Sequence, residues 1–584
     1  MVVRLTICIH FLLALFPVAN LEAQQINSGY AEIIAASEAY FREEVDSTKI
    51  IGITAAIIMD DSVIWSKGFG FADKKNGTPM TTHTVINIGS ITKTFTSLSI
   101  MQLQERGLLN INLPLRTYLH SFRPKTIGID LDAITVKSII THRSGIQPDY
   151  MKNSDLETGK YTDVLGFINN TYITFPPGEV GLYSNAGYNI LGSLVKEVSN
   201  KDYGDYVREN IFAPLGMTRT GFAMDSLMDR SKIYFNGEEV REYELRDIAS
   251  GGIYSNIDDF TKYARGLLSA YYAEDSSLIK TSTIHDMFSL QNAEVPIESN
   301  KKGLGWFMFK NDSSFAVYHS GSAGFAHAKL LLIPGCKAAV MVMTNSAEGG
   351  SVAEEFCFNF LRRFNLSIPD LFPSPITGMI HEEITEAKVS KKLLAKHTGN
   401  YAQAYGYLKV YLERDQLRMK DGNTQYILKP LSENEFVPVE MMNNDSLVER
   451  TTRRLIFKKI GSSTFIFLRE NKREFEYGLR LDNIDTSVWN SRVGTYEHFG
   501  YQMLVGDTKF KSLEIFISKD GVLMMKVTTF GSVRNIPLRV ISNNYALTSG
   551  INAGFGAFNV QFRGRGKKSI VNFAGLTFKR TSSL

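Results

Sequence analysis

Hydrophobic periodicity changes once along this chain, and the change commits it to a composite architecture. Up to about residue 370, apolar residues recur at helical spacing, as in Ile91, Phe95 and Leu98 or Ile190, Leu194 and Val198. Beyond about residue 390 only short alternating runs remain, among them "YLKVYLERDQLRMKDG", "RRLIFKKIG", "STFIFLRE" and "LEIFISKDGVLMMKV". The text between them, "FPSPITGMIHEEITEAKVS", bears prolines and acidic residues and suits a linker over 372–390. The alternating part repeats weakly: "HTGNY…LKVYLERDQLRMK" and "RVGTYEH…LEIFISKDGVLMMK" share a Gly-x-Tyr opening and a strand ending in Met-Lys. This predicts two all-β units, 391–488 and 489–584, each with strands enough for a small barrel. A single larger β-sandwich is the alternative.

The first part begins and ends with strands. After an amphipathic helix near residues 30 to 47, "GITAAIIMD" and "SVIWSKGFGF" read as a hairpin turning at Asp60-Asp61. A second hairpin, "AHAKLLLIP" and "KAAVMVMTN", turns around Pro334-Gly335 and is followed by the helical run "SVAEEFCFNFLRRF". Patterns between the hairpins are mostly helical. The expected fold is therefore α+β: one antiparallel sheet built from both ends of a domain spanning 24–371, flanked by helices and carrying a large helical insertion.

At 584 residues the chain is long enough for about three or four compact units. Its formal charge of +4 gives no reason to expect nucleic acid as a partner, which leaves a small molecule or peptide. At the N-terminus Arg4 precedes a largely apolar run to about Val18, and Ala23 fits the small residue of a cleavage site. Residues 1–23 are thus expected to be a signal peptide. The exported product would be soluble, periplasmic or extracellular, with no integral membrane segment after signal removal. Of three cysteines, Cys8 lies in that leader, and Cys336 with Cys357 do not make a disulfide framework.

Candidate chemistry starts at "INIGSITKTFTSLSIMQLQERG". Ser90 reads either as an ordinary helix cap or as a nucleophile. Lys93 follows at i+3, so both side chains share one helical face and an amine can touch the serine oxygen. The spacing alone is weak evidence, since Ser277/Lys280 and Ser299/Lys302 repeat it. A serine needs a base and an electrophilic hole, which directs attention to two further motifs. Tyr183-Ser184-Asn185 follows "FPPGEVGL" and precedes the helix "AGYNILGSLVKEVS"; His319-Ser320-Gly321-Ser322 lies before the second hairpin. Tyr254-Ser255-Asn256 copies the first motif but is followed by Asp259, a capping-box pattern. His397-Thr398-Gly399 copies the second but opens a β unit, and is expected to be a turn.

In order, "GSITK", "ITHRSGI", "PPGEVGLYSNAGYNILG", "IFAPLGMTRTGF", "SGGIYSNIDDFTKYARGLL", "GLGWFM" and "HSGSAGF" resemble the serine hydrolase family of class C β-lactamases, D-alanyl-D-alanine carboxypeptidases, D-aminopeptidases and family-VIII-type esterases. The resemblance covers residues 30 to 370. It implies that Ser90 is the acylated nucleophile, Lys93 and Tyr183 the catalytic proton-transfer pair, and Asn185 an amide that positions lysine and substrate. The backbone N–H groups of Ser90 and Ser322 would form the oxyanion hole, with His319 and Gly321 on the substrate-binding strand. Relatives usually begin the third motif with lysine. His319 instead implies weaker hold on a substrate carboxylate, by about 1.5 to 3 kcal/mol for a lost charge-assisted hydrogen bond.

No metal or cofactor is implied: "HEEIT" lacks a second histidine, no Cys-x-x-Cys occurs, and "GFGFAD" is not a dinucleotide fingerprint. His142 is expected to anchor a loop, and "RGRGKK" to be a solvated turn. The leading expectation is an exported serine hydrolase acting through an acyl-enzyme on an ester or peptide-like amide, and not primarily a β-lactamase. The β units, which resemble lipocalin-like appendages, would wall the cleft or bind part of the substrate. An acyltransferase is the alternative within the same chemistry. A penicillin-recognising or wall-associated binding protein with vestigial catalysis is the alternative outside it.

Overall fold

The computed structural model describes residues 30–150, 160–242, 245–291, 301–310, 314–363 and, apart from brief stretches of which 500–511 is the longest, 385–582. The expected signal peptide and most of the expected linker lie outside the described residues. Of that linker, residues 385–390 are described, and Ala387 N–H donates to Pro430 O at 2.8 Å.

The two hairpins meet as their periodicity requires. Gly52–Met59 pairs antiparallel with Ala338–Thr344, Ile53 opposite Thr344, and so joins the two ends of the domain. The eight-stranded sheet runs, edge to edge, Thr78–Pro79, Ser62–Asp73, Gly52–Met59, Ala338–Thr344, Ala326–Ile333, Phe315–Ala323, Phe307–Lys310 and Lys301–Lys302. Asp60 and Asp61 both take positive φ, 47° and 60°, the backbone a two-residue hairpin turn needs. Alternation along Gly52–Met59 feeds two cores. Ile53, Ala55 and Ile57 face Phe41 and the helix Gly349–Arg362, whereas Ala56 and Ile58 face the helical layer.

In that helical layer Thr92–Glu105 runs through the core centre, with every residue from Thr92 to Leu103 buried. Asn185–Ser199 and Ile257–Tyr271 pack in the same core through Ile190, Leu194, Phe260 and Leu267. Asn256 caps the latter helix by accepting from Asp259 N–H at 2.8 Å, so Tyr254-Ser255-Asn256 is structural as expected.

The alternating C-terminal runs close into two antiparallel barrels, which excludes the single sandwich. In the first, eight strands between Gly399 and Arg480 form a ring closed by the pairing of Thr424–Pro430 with Glu435–Met441, and Leu447–Glu449 hangs from the latter. In the second, eight strands close where Gly494–His498 meets Leu576–Ser582. The repeat seen in sequence is a repeated lock. Tyr401 Oη donates to His397 O and Tyr496 Oη to Arg492 O, at 2.8 and 2.7 Å. Arg480, on the last strand of its barrel, donates to Lys396 O and Thr398 O; Arg580 does the same to Ser491 O and Val493 O. His397 is accordingly part of a turn.

Candidate active site

Ser90 lies in a single 3₁₀ turn, Gly89–Ile91, that leads directly into the helix Thr92–Glu105. Neither cap residue, Ile88 or Ile91, makes a side-chain cap bond, and the first N–H of the turn, that of Gly89, donates to Asn87 Oδ1 at 2.7 Å, so the Ser90 hydroxyl is not spent on capping. It stays partly exposed between buried neighbours. The turn is shaped by close backbone approach. Gly89 has φ +52°, and a Cβ there would meet Ser322 N at 2.4 Å; one on Gly321 would meet Ile88 O at 1.8 Å and Ser90 N at 3.2 Å. Only glycines let the strand Phe315–Ala323 run against this turn. The backbones of Ser90 and Ser322 are thereby brought to one spot.

Lys93, one turn along, is fully buried. Its Nζ lies 3.1 Å from Ser90 Oγ, 2.7 Å from Asn185 Oδ1 and 2.7 Å from Ser250 O. Burial drives its pKa down from 10.5 to about 7, against a weaker opposing pull from Asp149. Asn185 opens its helix behind the Ser184 cap, which accepts from Gly187 N–H. Its amide is oriented on both sides: Oδ1 accepts from Lys93 and Nδ2 donates to Asp149 Oδ2 at 2.8 Å.

Tyr183 closes the group. Its hydroxyl faces the Ser90 side chain, and its ring centroid lies 4.8 Å from Lys93 Nζ. Burial holds its pKa far above the ordinary value, so the phenol is neutral. The His142 ring packs against it, tilted, with centroids 4.3 Å apart, while its Nδ1 accepts from Ser184 N–H at 3.1 Å. It is the loop anchor expected. His319 is buried 6.5 Å from the Tyr183 ring and 5.2 Å from Phe307. Its Nδ1 lies 2.7 Å from Ser320 O, and desolvation, with Lys93 adding repulsion, lowers its pKa to about 3. A neutral imidazole therefore stands where a fixed cation would be.

All seven residues singled out in the sequence, Ser90, Lys93, Tyr183, Asn185, His319, Gly321 and Ser322, fall on this one site. Three groups were missed. Asp149 orients Asn185; Gln147 braces Asp149 by donating from Nε2 to its carbonyl at 2.8 Å; and Ser250 supplies a carbonyl to Lys93. Gln147 and Asp149 directly follow "ITHRSGI", and that adjacency was the only signal available. Ser250, within "SGGIYSN", acts through its backbone and left no side-chain trace. Of the decoys, Ser277 N–H binds Asp275, and Lys280 precedes the helix Thr281–Met287 well away from the site. Ser299 lies outside the described residues. Among the described residues, no cluster of His, Cys, Asp or Glu could hold a metal.

A serine in the turn that opens a helix, with a buried lysine one turn along it and a tyrosine from a neighbouring loop, the helix facing an antiparallel sheet, defines a class of active-site serine proteins. The Beta-lactamase family profile matches residues 38–356, and this chain belongs to that family, whose members are in general serine hydrolases. The chain is 27% identical over 307 residues to Protein flp of Staphylococcus aureus (strain MRSA252), a match covering 51% of this chain and 60% of that protein. It thus spans about 60% of the length of the curated relatives it matches. Its fold is similar to that of the octameric penicillin-binding protein homologue from Pyrococcus abyssi (TM-score 0.52, 24% identity), with 76% of this chain and 99% of that one covered. It is also similar to SurE (TM-score 0.56, 20% identity), with 78% and 99% covered.

Proposed function

We propose that this chain is an exported serine hydrolase that forms an acyl-enzyme on Ser90 and cleaves an ester or peptide-like amide. The observation that carries the reading is the amine of Lys93, desolvated to a pKa of about 7 and 3.1 Å from Ser90 Oγ. When neutral, Lys93 has two N–H donors for Asn185 Oδ1 and Ser250 O, and its lone pair is left for the Ser90 proton. Tyr183, held neutral, is a donor and relay. Of the pair, Lys93 is the better base near neutral pH.

In the acylation step Ser90 Oγ bonds to the acyl carbon and its proton passes to Lys93 Nζ. The carbonyl oxygen takes the negative charge and is met by the N–H groups of Ser90 and Ser322. The bond to the leaving group then breaks, and that group departs with the proton returned through Lys93 and Tyr183. Water repeats the sequence to release the acid, and an alcohol or amine in its place would make the same enzyme an acyltransferase.

The neutral His319 favours substrates that lack a carboxylate at this position, which argues against β-lactams as principal substrates. Export rests on the apolar leader. Among the described residues no helix is long and apolar enough to cross a membrane. The test is turnover of a short-chain nitrophenyl ester beside a cephalosporin. Faster ester turnover, shifted toward ester product by an added alcohol only if acyl transfer operates, supports the reading; equal or faster cephalosporin turnover contradicts it.

A further inference from the structure

The second barrel is linked to the active site by hydrogen bonds that run from Asn559 through Gln147 and Asp149 to Asn185. Asn559, on the strand Asn559–Arg563, donates from Nδ2 to Gln147 Oε1 at 3.1 Å, and its backbone N–H approaches the same oxygen at 3.4 Å. Its orientation is imposed by Tyr172, whose N–H donates to Asn559 Oδ1 at 2.8 Å and whose carbonyl accepts from Nδ2 at 3.0 Å. Gln147, 1% exposed, passes the constraint on in two directions. Its side-chain Nε2 holds Asp149 O, and its backbone carbonyl accepts from Ser184 Oγ at 2.7 Å. Asp149 and Ser184 are the two groups that aim Asn185, and Asn185 aims Lys93.

From this geometry we infer that the second barrel is part of the catalytic apparatus, with Asn559 and Gln147 as positioning residues for the Lys93–Asn185 pair. The inference rests on the acyl-enzyme reading and deepens it. Every polar atom of the Asn559 side chain is committed to the catalytic domain and none to its own barrel, which is not how a residue serving barrel stability is arranged. The same barrel has a second contact outside the relay: Arg539 Nη2 donates to Thr174 O at 2.6 Å. Docking and positioning are therefore separable.

The link acts on ionisation as well as placement. Lys93 is a base near neutral pH because the site excludes water, and Asp149 is held desolvated beside Asn185. Loosening the 147–149 segment would admit water and let the lysine pKa climb back toward 10.5.

The experiment compares full-length wild type, Asn559→Ala, Gln147→Met and Arg539→Ala on a short-chain nitrophenyl ester across pH 5 to 10, with melting temperatures alongside. Asn559→Ala and Gln147→Met are expected to lower kcat by about tenfold, with KM within about twofold, as loss of one buried positioning hydrogen bond implies. They should also move the midpoint of the kcat–pH rise upward from about 7. Arg539→Ala should lower the melting temperature while the midpoint stays in place. A wild type with a Ser90-dependent burst, but relay variants whose only change is in melting temperature, would overturn the inference and leave the acyl-enzyme reading intact. A wild type with no such burst would overturn both.

Discussion

Lys93 carries the most exacting requirement of the site, because a lysine with no exposed surface must function without its charge. Acylation needs the neutral amine, so kcat/KM for a nitrophenyl ester should rise with pH through a midpoint near 7, and a flat profile between pH 6 and 8 would exclude Lys93 as the base. Stability carries the same signature. Since folding lowers this pKa from 10.5 to about 7, the unfolded chain binds the extra proton between those values, and the protonated folded form is disfavoured below them. Wild type should therefore gain stability relative to Lys93→Met as pH rises from 7 to 10, read as the difference in melting temperature between the two. Asp149 acts one bond further out. Asp149→Ala removes the acceptor that turns the Asn185 amide, and kcat should fall on the order of tenfold to a hundredfold with little change in KM. Ser90, Lys93, Tyr183 and Asn185 were singled out through the resemblance of three ordered motifs to one family, since the Ser-x-x-Lys spacing alone recurs at Ser277 and Ser299. Asp149 and Gln147 were not, since an acid after a proline acquires a role only when the chain returns 36 residues later to set Asn185 against it.

At the scale of elements, the turn at Ser90 and the strand Phe315–Ala323 form a unit held together by two absent side chains. Gly321→Ala would drive a Cβ into Ile88 O, and separating the two backbones would dismantle the paired N–H groups of Ser90 and Ser322. Ester turnover should drop far more than in Gly335→Ala, where a Cβ meets nothing within 4 Å. The hairpins and the sheet joining both ends were readable, since short apolar runs on either side of turns at Asp60-Asp61 and Pro334-Gly335 leave strong local signals. Barrel closure was less so. Period-2 text specifies strands, but closure depends on long-range pairs such as Gly399–Ala402 with Arg473–Arg480, and on the Tyr401 and Arg480 locks repeated at Tyr496 and Arg580.

Across the whole molecule, the loop bearing Tyr183 is a shared wall. Phe175, Val180 and Leu182 bury themselves against Ile456, Phe465 and Phe467 of the first barrel and Ala557 of the second. Each such side chain contributes about 1.5 to 3 kcal/mol when removed from water. A chain ending at residue 371 would leave this patch uncovered next to Tyr183, and is expected to be poorly soluble and to show a much smaller burst per molecule than the full chain. The proposed chemistry, however, comes down to a covalent bond at one oxygen. Its most direct test is mass spectrometry of the full chain quenched in acid within the burst phase of a nitrophenyl ester reaction, followed by peptide mapping. One acyl group per molecule is expected on the peptide containing Ser90, absent from Ser90→Ala. Turnover that persists in Ser90→Ala, or an adduct on any other residue, would contradict it.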